Sequence, residues 1–186
     1  MMLDGPARDD AMYQRLFAKG APRDHRDKAA PLWYRRFAEQ GDLDAQFYLA
    51  DMLLTGSGVA RDPAEAQVWF RRAAEQGHEQ AAYHLGYVLQ DEDDAEARVW
   101  LRRCAERGHA EAQYSLSRML SDEPSDKDEA RSWLRMSAKQ GYADAQHLLG
   151  VQCEDKGEAL ILLRRSAAQG RAEAQNHVIA AIFESY

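Results

Sequence analysis

His78 and Glu79 stand together as they do at the start of a zinc-protease helix, but the next histidine is His84. Zinc held by two histidines on one helical face needs them four residues apart with the glutamate beside the first, and His84 comes too late for that. The six histidines of the chain do not gather, so no metal site is expected. Gly56-Ser57-Gly58 has the glycines of a phosphate loop without the Gly-Lys-Ser/Thr ending or a preceding strand pattern, and reads as a tight turn between helices. Cys104 and Cys153 read as buried or half-buried thiols of a reducing compartment. No spacing suggests a Ser/His/Asp or Cys/His arrangement, so neither an enzyme nor a cofactor is expected.

The elements that position these residues follow from a repeat. A Trp or Leu is followed eight residues later by Gly and four later again by Ala: Trp33–Gly41–Ala45, Trp69–Gly77–Ala81, Trp100–Gly108–Ala112, Trp133–Gly141–Ala145 and Leu162–Gly170–Ala174. Ala30, Ala66, Ala97, Ala130 and Ala159 precede the Trp/Leu by three, and Leu49, Leu85, Leu116, Leu149 and Val178 follow the Gly by eight. A repeat of this length fixes architecture before local propensity does. It predicts an all-α fold of about eleven helices with no sheet, paired as αα-hairpins and stacked as a right-handed αα-solenoid. Gly would end one helix in the left-handed conformation, and the small alanines would let helices approach closely. Asp62-Pro63 reads as an N-cap with Pro in the first turn, and Asp93-Asp94 and Ser125-Asp126 as similar starts. Trp69 and Trp100 are expected to be buried between layers.

The stretch Ala38-Glu39-Gln40-Gly41-Asp42-Leu43-Asp44-Ala45-Gln46-Phe47-Tyr48-Leu49-Ala50, running on through Gly56-Ser57-Gly58-Val59 and Asp62 to Trp69-Phe70-Arg71-Arg72-Ala73-Ala74, resembles one complete repeat of the Sel-one-like repeat family, relatives of the tetratricopeptide repeats. Later repeats keep both helices and lack the Gly-x-Gly-Val loop. The resemblance covers roughly residues 28 to 184 and implies a solenoid of about five repeats. Residues 28-186 are therefore assigned to the solenoid and 1-27 to an N-terminal capping helix (Ala11 to Lys19) and linker. The last helix, carrying Val178, Ile179, Ile182 and Phe183, lacks a second helix to cover it, which suggests self-association there.

By analogy with tetratricopeptide repeats, positions three, six and ten after each Gly line an inner groove. They read Asp44, Gln80, Glu111, Asp144 and Glu173; Phe47, Tyr83, Tyr114, His147 and Asn176; Asp51, Tyr87, Arg118, Val151 and Ala180. A row of aromatics flanked by carboxylates suits a protein or peptide partner of basic or mixed charge. Asp44, Phe47, Asp51, Tyr83, Tyr87, Glu111, Tyr114, Arg118 and His147 are the candidate partner-binding residues.

The outer face carries the pairs Arg35-Arg36, Arg71-Arg72, Arg102-Arg103 and Arg164-Arg165. Arg35–Glu39, Arg71–Glu75 and Arg102–Glu106 have the spacing of local helical ion pairs, so this face is expected to be solvated and neutralised. The acidic runs Asp91–Asp94 and Asp122-Glu123 mostly suit helix starts.

The 186 residues carry a formal net charge of -7, which argues against nucleic-acid and anionic-membrane partners. The sequence has no apolar run of membrane-spanning length and no secretory signal at Met1-Met2-Leu3-Asp4, giving a cytoplasmic expectation. The leading functional reading is a non-enzymatic adaptor that holds a protein or peptide in its groove. The resemblance adds two alternatives: an immunity protein that neutralises a cognate secreted toxin, and a β-lactam-binding or hydrolysing enzyme like cysteine-rich relatives. The latter is disfavoured because the cysteines do not staple each hairpin.

Overall fold

The computed structural model describes residues 18–20, 30–90, 94–121 and 123–183. Among these residues the chain forms ten α-helices and a single 3-10 turn, with no strand. The helices are α1 (Ala30–Glu39), α2 (Leu43–Thr55), α3 (Pro63–Glu75), α4 (Glu79–Leu89), α5 (Asp94–Glu106), α6 (Ala110–Ser121), α7 (Lys127–Lys139), α8 (Ala143–Gln152), α9 (Lys156–Ala168) and α10 (Ala172–Phe183). This is an all-α solenoid of stacked hairpins. The expected N-terminal helix lies almost wholly outside the described residues. Only Ala18–Gly20 is seen, where Lys19 is ion-paired with Asp42.

The chain divides into two compact units, Met1–Val88 and Leu89–Tyr186. In the first, α2 packs between α1 and α3. Its interior is built from Tyr34, Leu49, Met52, Leu53, Phe70 and Leu85. In the second, successive helices from α5 to α10 pack in sequence order, over Leu101, Leu116, Leu120, Leu134, Leu162 and Leu163.

The frame residues do what their types require. Gly41, Gly77, Gly108, Gly141 and Gly170 all have φ between 89° and 96°, a region that L side chains enter only at a cost. Each sharp reversal returns the chain at once into the next helix. Framework alanines such as Ala30, Ala45, Ala66, Ala81, Ala97, Ala112 and Ala145 are buried, allowing close helix approach. Ala159 and Ala167 of the last hairpin are only partly buried, since that hairpin has fewer neighbours in the described residues.

Helix starts divide by side chain. The Asp62 carboxylate accepts from the Glu65 amide at 2.9 Å, with Pro63 in the first turn, as expected. Asp155 caps α9 in the same way at 2.8 Å. Ser125-Asp126 does not cap α7: it lies in the 3-10 turn Pro124–Asp126, and Ser125 Oγ donates to Asp126 instead. Asp93 lies outside the described residues. Cys153, expected within a helix, sits just past the end of α8, because the short Cys153–Asp155 turn into α9 stops the helix early. Both cysteines are free thiols, Cys104 buried and Cys153 half-buried. Gly56 closes α2 in the left-handed conformation, as a tight turn requires.

Two polar ties recur. A glutamine five residues after the frame Gly donates to the carbonyl of the framework alanine eight residues back: Gln46 to Ala38 (3.1 Å), Gln113 to Ala105 (3.0 Å) and Gln146 to Ala138 (3.2 Å). The glutamine just before the next Gly then donates to that amide oxygen: Gln76 to Gln46, Gln140 to Gln113 and Gln169 to Gln146. Gln46, Gln113 and Gln146 are buried, and a buried amide is tolerated when its donor and acceptor are both used. The second tie is a hydroxyl: Ser137 and Ser166 each donate at 2.7 Å to a carbonyl in the first turn of a first helix, Ala110 and Ala143.

Candidate functional site

In the first unit the candidate residues lie on α2 and α4. His78, immediately after Gly77, caps α4: its Nδ1 accepts from the Ala81 amide at 3.1 Å. That leaves the proton on Nε2, which faces the Asp44 carboxylate at 3.5 Å. The imidazole is stacked on Phe47, with centroids 5.1 Å apart and planes at 16°. Phe47 also meets Phe70 and His84 and is only 6% exposed. Its ring therefore belongs to the interior, and the expected aromatic row is not open at this position. Asp51 is half-buried further along α2. Tyr83 is half-buried against His84, and its ring centroid is 6.5 Å from that of Tyr87. Tyr87 is 57% exposed.

The second unit follows the same logic with other chemistry. Tyr114 packs against Tyr142, at 5.4 Å between centroids. Asp144 is ion-paired with Arg171. Glu111 lies 3.2 Å from His109 Nδ1, an atom also 3.3 Å from the Ala112 amide. That nitrogen can accept the amide or, protonated, donate to Glu111, but not both. Arg118 and Val151 are exposed.

These contacts define a rule that the spacing alone did not reveal. After Gly77, Gly141 and Gly170 the next residue overlies the preceding first helix: His78 covers Asp44 and Phe47, Tyr142 covers Tyr114, and Arg171 covers Asp144. Asp44, Phe47, Tyr114 and Asp144 are thus covered within their own unit, whereas position ten is exposed at Tyr87, Arg118 and Val151.

His147 and His177 correct the expectation that the histidines stay apart. One hairpin brings them together, with Nε2 of His147 3.2 Å from Nδ1 of His177, which also lies 2.8 Å from the Glu173 carbonyl. Burial, then the neighbouring His177, push the His147 imidazole below its ordinary pKa, with Glu173 opposing. Among the described residues no third His, Cys, Asp or Glu joins a group able to hold a metal.

The outer face also differs from expectation. Arg35 reaches Glu65 on α3, with bonds of 2.6 and 3.1 Å, and Arg102 pairs with Glu129 on α7. Neither makes its principal pair with the local Glu39 or Glu106; each bridges to the next second helix. The same carboxylates accept the indole N–H four residues on, Trp69 to Glu65 at 3.1 Å and Trp133 to Glu129 at 3.0 Å. The guanidinium beside it holds each carboxyl below the usual carboxylate range, against the opposing effect of burial. The missed signal is a Glu four residues before Trp: Glu65, Glu96 and Glu129. Trp69 is buried beneath Arg72, 4.6 Å from its ring centroid. Trp100, expected to be buried, is only half-buried, with Arg103 5.7 Å from its ring centroid.

Comparison with known proteins follows the same frame. The Sel1 repeat model matches residues 11–42, 43–78, 80–109, 110–142 and 143–170; the first of these takes in part of the segment assigned above to a cap. The fold is similar to that of c5321, a protective antigen of uropathogenic Escherichia coli with an SLR fold, at TM-score 0.81 and 31% identity over 95% of this chain. The chain spans only 40% of that protein's length. It is similar to a Sel1 repeat protein from Oxalobacter formigenes at TM-score 0.73 and 29% identity, covering 89% of this chain and 73% of that one. The immunity protein Pa5087 from Pseudomonas aeruginosa shares the fold at TM-score 0.59 and 24% identity, over 91% of this chain and 69% of that one. No curated protein matches the sequence significantly. Five matched repeats running along most of its length place the chain in the Sel1 repeat family.

Proposed function

We propose that this protein is a non-catalytic scaffold that holds a protein or peptide partner on the face of its first helices. The observation that carries the reading is position ten. The frame around it is constant, yet the position itself carries Asp51, Tyr87, Arg118, Val151 and Ala180, exposed in every case but the half-buried Asp51. A fixed scaffold presenting varied chemistry at one register suits recognition of an extended surface. Tyr87, backed by Tyr83, supplies a large apolar area on few rotatable bonds. Glu111 and Arg118 give the second unit both signs of charge, which favours a mixed-charge partner over a uniformly basic one. The repeat frame supports a scaffold reading, and we assign no catalytic step.

The test is site-specific photo-crosslinking in cells, with the crosslinker placed at position 87 or, as control, at the exposed outer position 68. A discrete adduct from position 87 alone, lost on Tyr83→Ala in an otherwise helical protein, is the expected result. Equal labelling from both positions would overturn the reading. Toxin neutralisation is the second reading, motivated by a fold shared with immunity proteins. The identity of the adduct separates the two, because a secreted toxin would be recovered in one case and a resident protein in the other.

A further inference from the structure

The second helices do not all face solvent with the same charge. Arg stands two residues after the frame Trp/Leu in every hairpin: Arg35, Arg71, Arg102, Arg135 and Arg164. Six residues after it the chain reads Glu39, Glu75, Glu106, then Lys139 and Ala168. The local carboxylate is thus present three times and absent from α7 and α9. The bridging pair is absent there too. Arg102 reaches Glu129, whereas Arg131, Arg135, Lys139, Arg164 and Arg165 make no ion pair among the described residues. Residues 130–140 and 160–170 contain no Asp or Glu; the carboxylates Asp128, Glu129 and Glu158 lie in the first turns of these helices.

The cations lie on two second helices of the same unit. Arg131, Arg135 and Lys139 are exposed and stand at four-residue steps along α7, flanking the stripe of its buried Leu134 and Ala138. The last turns of α7 and α9 are tied together, the Gln169 amide donating to the Gly141 carbonyl at 2.9 Å. The same two helices expose apolar side chains, Met136 at 38% on α7 and Ile161 at 54% on α9. The helix dipole accounts for Lys139 and Arg165 in the last turns, but Arg131 lies towards the N-terminus of α7, where a cation is disfavoured.

We propose that the outer face of α7 and α9 docks an acidic, amphipathic segment of a partner protein. Unpaired guanidinium groups meet its carboxylates while Met136 and Ile161 take its apolar side chains. A protein segment is favoured over a nucleic acid because a net charge of -7 repels a long polyanion, while leaving a short acidic segment free to meet the local patch. This face is separate from the first-helix surface, so the two readings can fail independently.

The experiment titrates the full-length chain into a fluorescent helical peptide with Glu on one face and Leu on the other. Parallel titrations use a Glu/Ser peptide of the same charge and a short single-stranded RNA. Saturable binding of the Glu/Leu peptide that weakens with salt is expected, with the Glu/Ser peptide weaker. The triple variant R131S/R135S/R164S should weaken it by at least about tenfold, since three surface-strength pairings sum to a decade of affinity. The control R36S/R72S, which removes two exposed second-helix arginines of the first unit, should leave it unchanged. Unchanged far-ultraviolet circular dichroism would confirm that the triple variant is folded. Absence of peptide binding, equal weakening by the control pair, or RNA binding lost in the triple variant would each overturn the proposal.

Discussion

The hairpin 43–78 and the hairpin 80–109 share one frame and are tied differently. In the first, Gln46 joins the Ala38 carbonyl of α1 to Gln76 at the end of α3, so one buried amide links three helices. In the second, Ala82 and Arg107 stand at those two positions. An alanine side chain offers no hydrogen bond, so the amide link cannot form. The division between the two compact units, at Val88 and Leu89, falls inside this hairpin. The amide pair returns in the two hairpins that follow. The amide tie is thus a recurrent part of the frame and not an invariant one. Unpaired buried polar groups are costly, so each glutamine also penalises any register that leaves it unsatisfied.

The largest way to break the comparison is through the apolar layer common to both hairpins. Trp69→Ala should cost about 3–5 kcal/mol, through lost transfer energy and the cavity beside Phe70. Trp100→Ala, at the equivalent but half-buried position, should cost clearly less. Chemical denaturation followed by circular dichroism measures both, and equal losses would mean that the difference in burial has no energetic weight. Neighbour-only coupling predicts that the Trp69 variant also loosens the first unit before the second, visible as a broadened transition.

The polar tie comes next. Gln113 is buried and engages both Ala105 and Gln140. Gln113→Ala should cost about 1–3 kcal/mol, because it strands a carbonyl and an amide away from water. Gln175 makes the corresponding bond to Ala167 at 3.3 Å, but it is exposed. Gln175→Ala should change stability by less than about 0.5 kcal/mol. Thermal melts of the two variants compare a buried amide bonded twice with an exposed one bonded once.

Much of this scaffold was legible in the chain, and the reasons are local. The Trp–Gly–Ala spacing names the helices, and a glycine in a left-handed reversal is close to obligatory. The Asp62 cap is likewise contained within a few residues. What stayed hidden depends on which hairpin lies next. Arg35 has Glu39 at the right helical spacing and Glu65 in the following hairpin; only the stacked structure selects Glu65. Phe47 and Tyr87 fall on the same predicted face, yet His78 closes over Phe47 while Tyr87 remains open. Helical period places a residue on a face, but it does not say what the adjacent repeat lays across it.

The Arg35–Glu65–Trp69 link tests that point through pH. Its depressed carboxyl means the folded state favours the charged form. The resulting stability is present above the ordinary carboxyl pKa and is lost as pH falls through the lower folded value. Both partners are partly exposed, so Glu65→Gln should cost only about 0.5–1 kcal/mol at neutral pH. The gap between the wild type and this variant should close as pH falls through the lowered folded value, once the carboxyl of both folded and unfolded chains is protonated. A gap that persists undiminished in acid would show that the link stabilises through packing rather than charge.

The smallest expected effect on stability belongs to Tyr87, and there the comparison becomes functional. Phe47 and Tyr87 descend from the same inner-face reading, but one is interior and the other is 57% exposed. Phe47→Ala should destabilise by about 3–5 kcal/mol, as buried aromatics do. Tyr87→Ala should shift stability by less than about 0.5 kcal/mol, because its ring is already in water in the free protein. If the first-helix face binds a partner, the order reverses in affinity: truncating an aromatic that becomes desolvated on binding typically costs about 2 kcal/mol or more. Melting curves and the affinity of the two variants for the partner recovered by crosslinking therefore read two independent axes. Loss of affinity in Tyr87→Ala at unchanged melting temperature supports the surface. Loss of both together would mean that Tyr87 holds the hairpin and that the partner lies on another face.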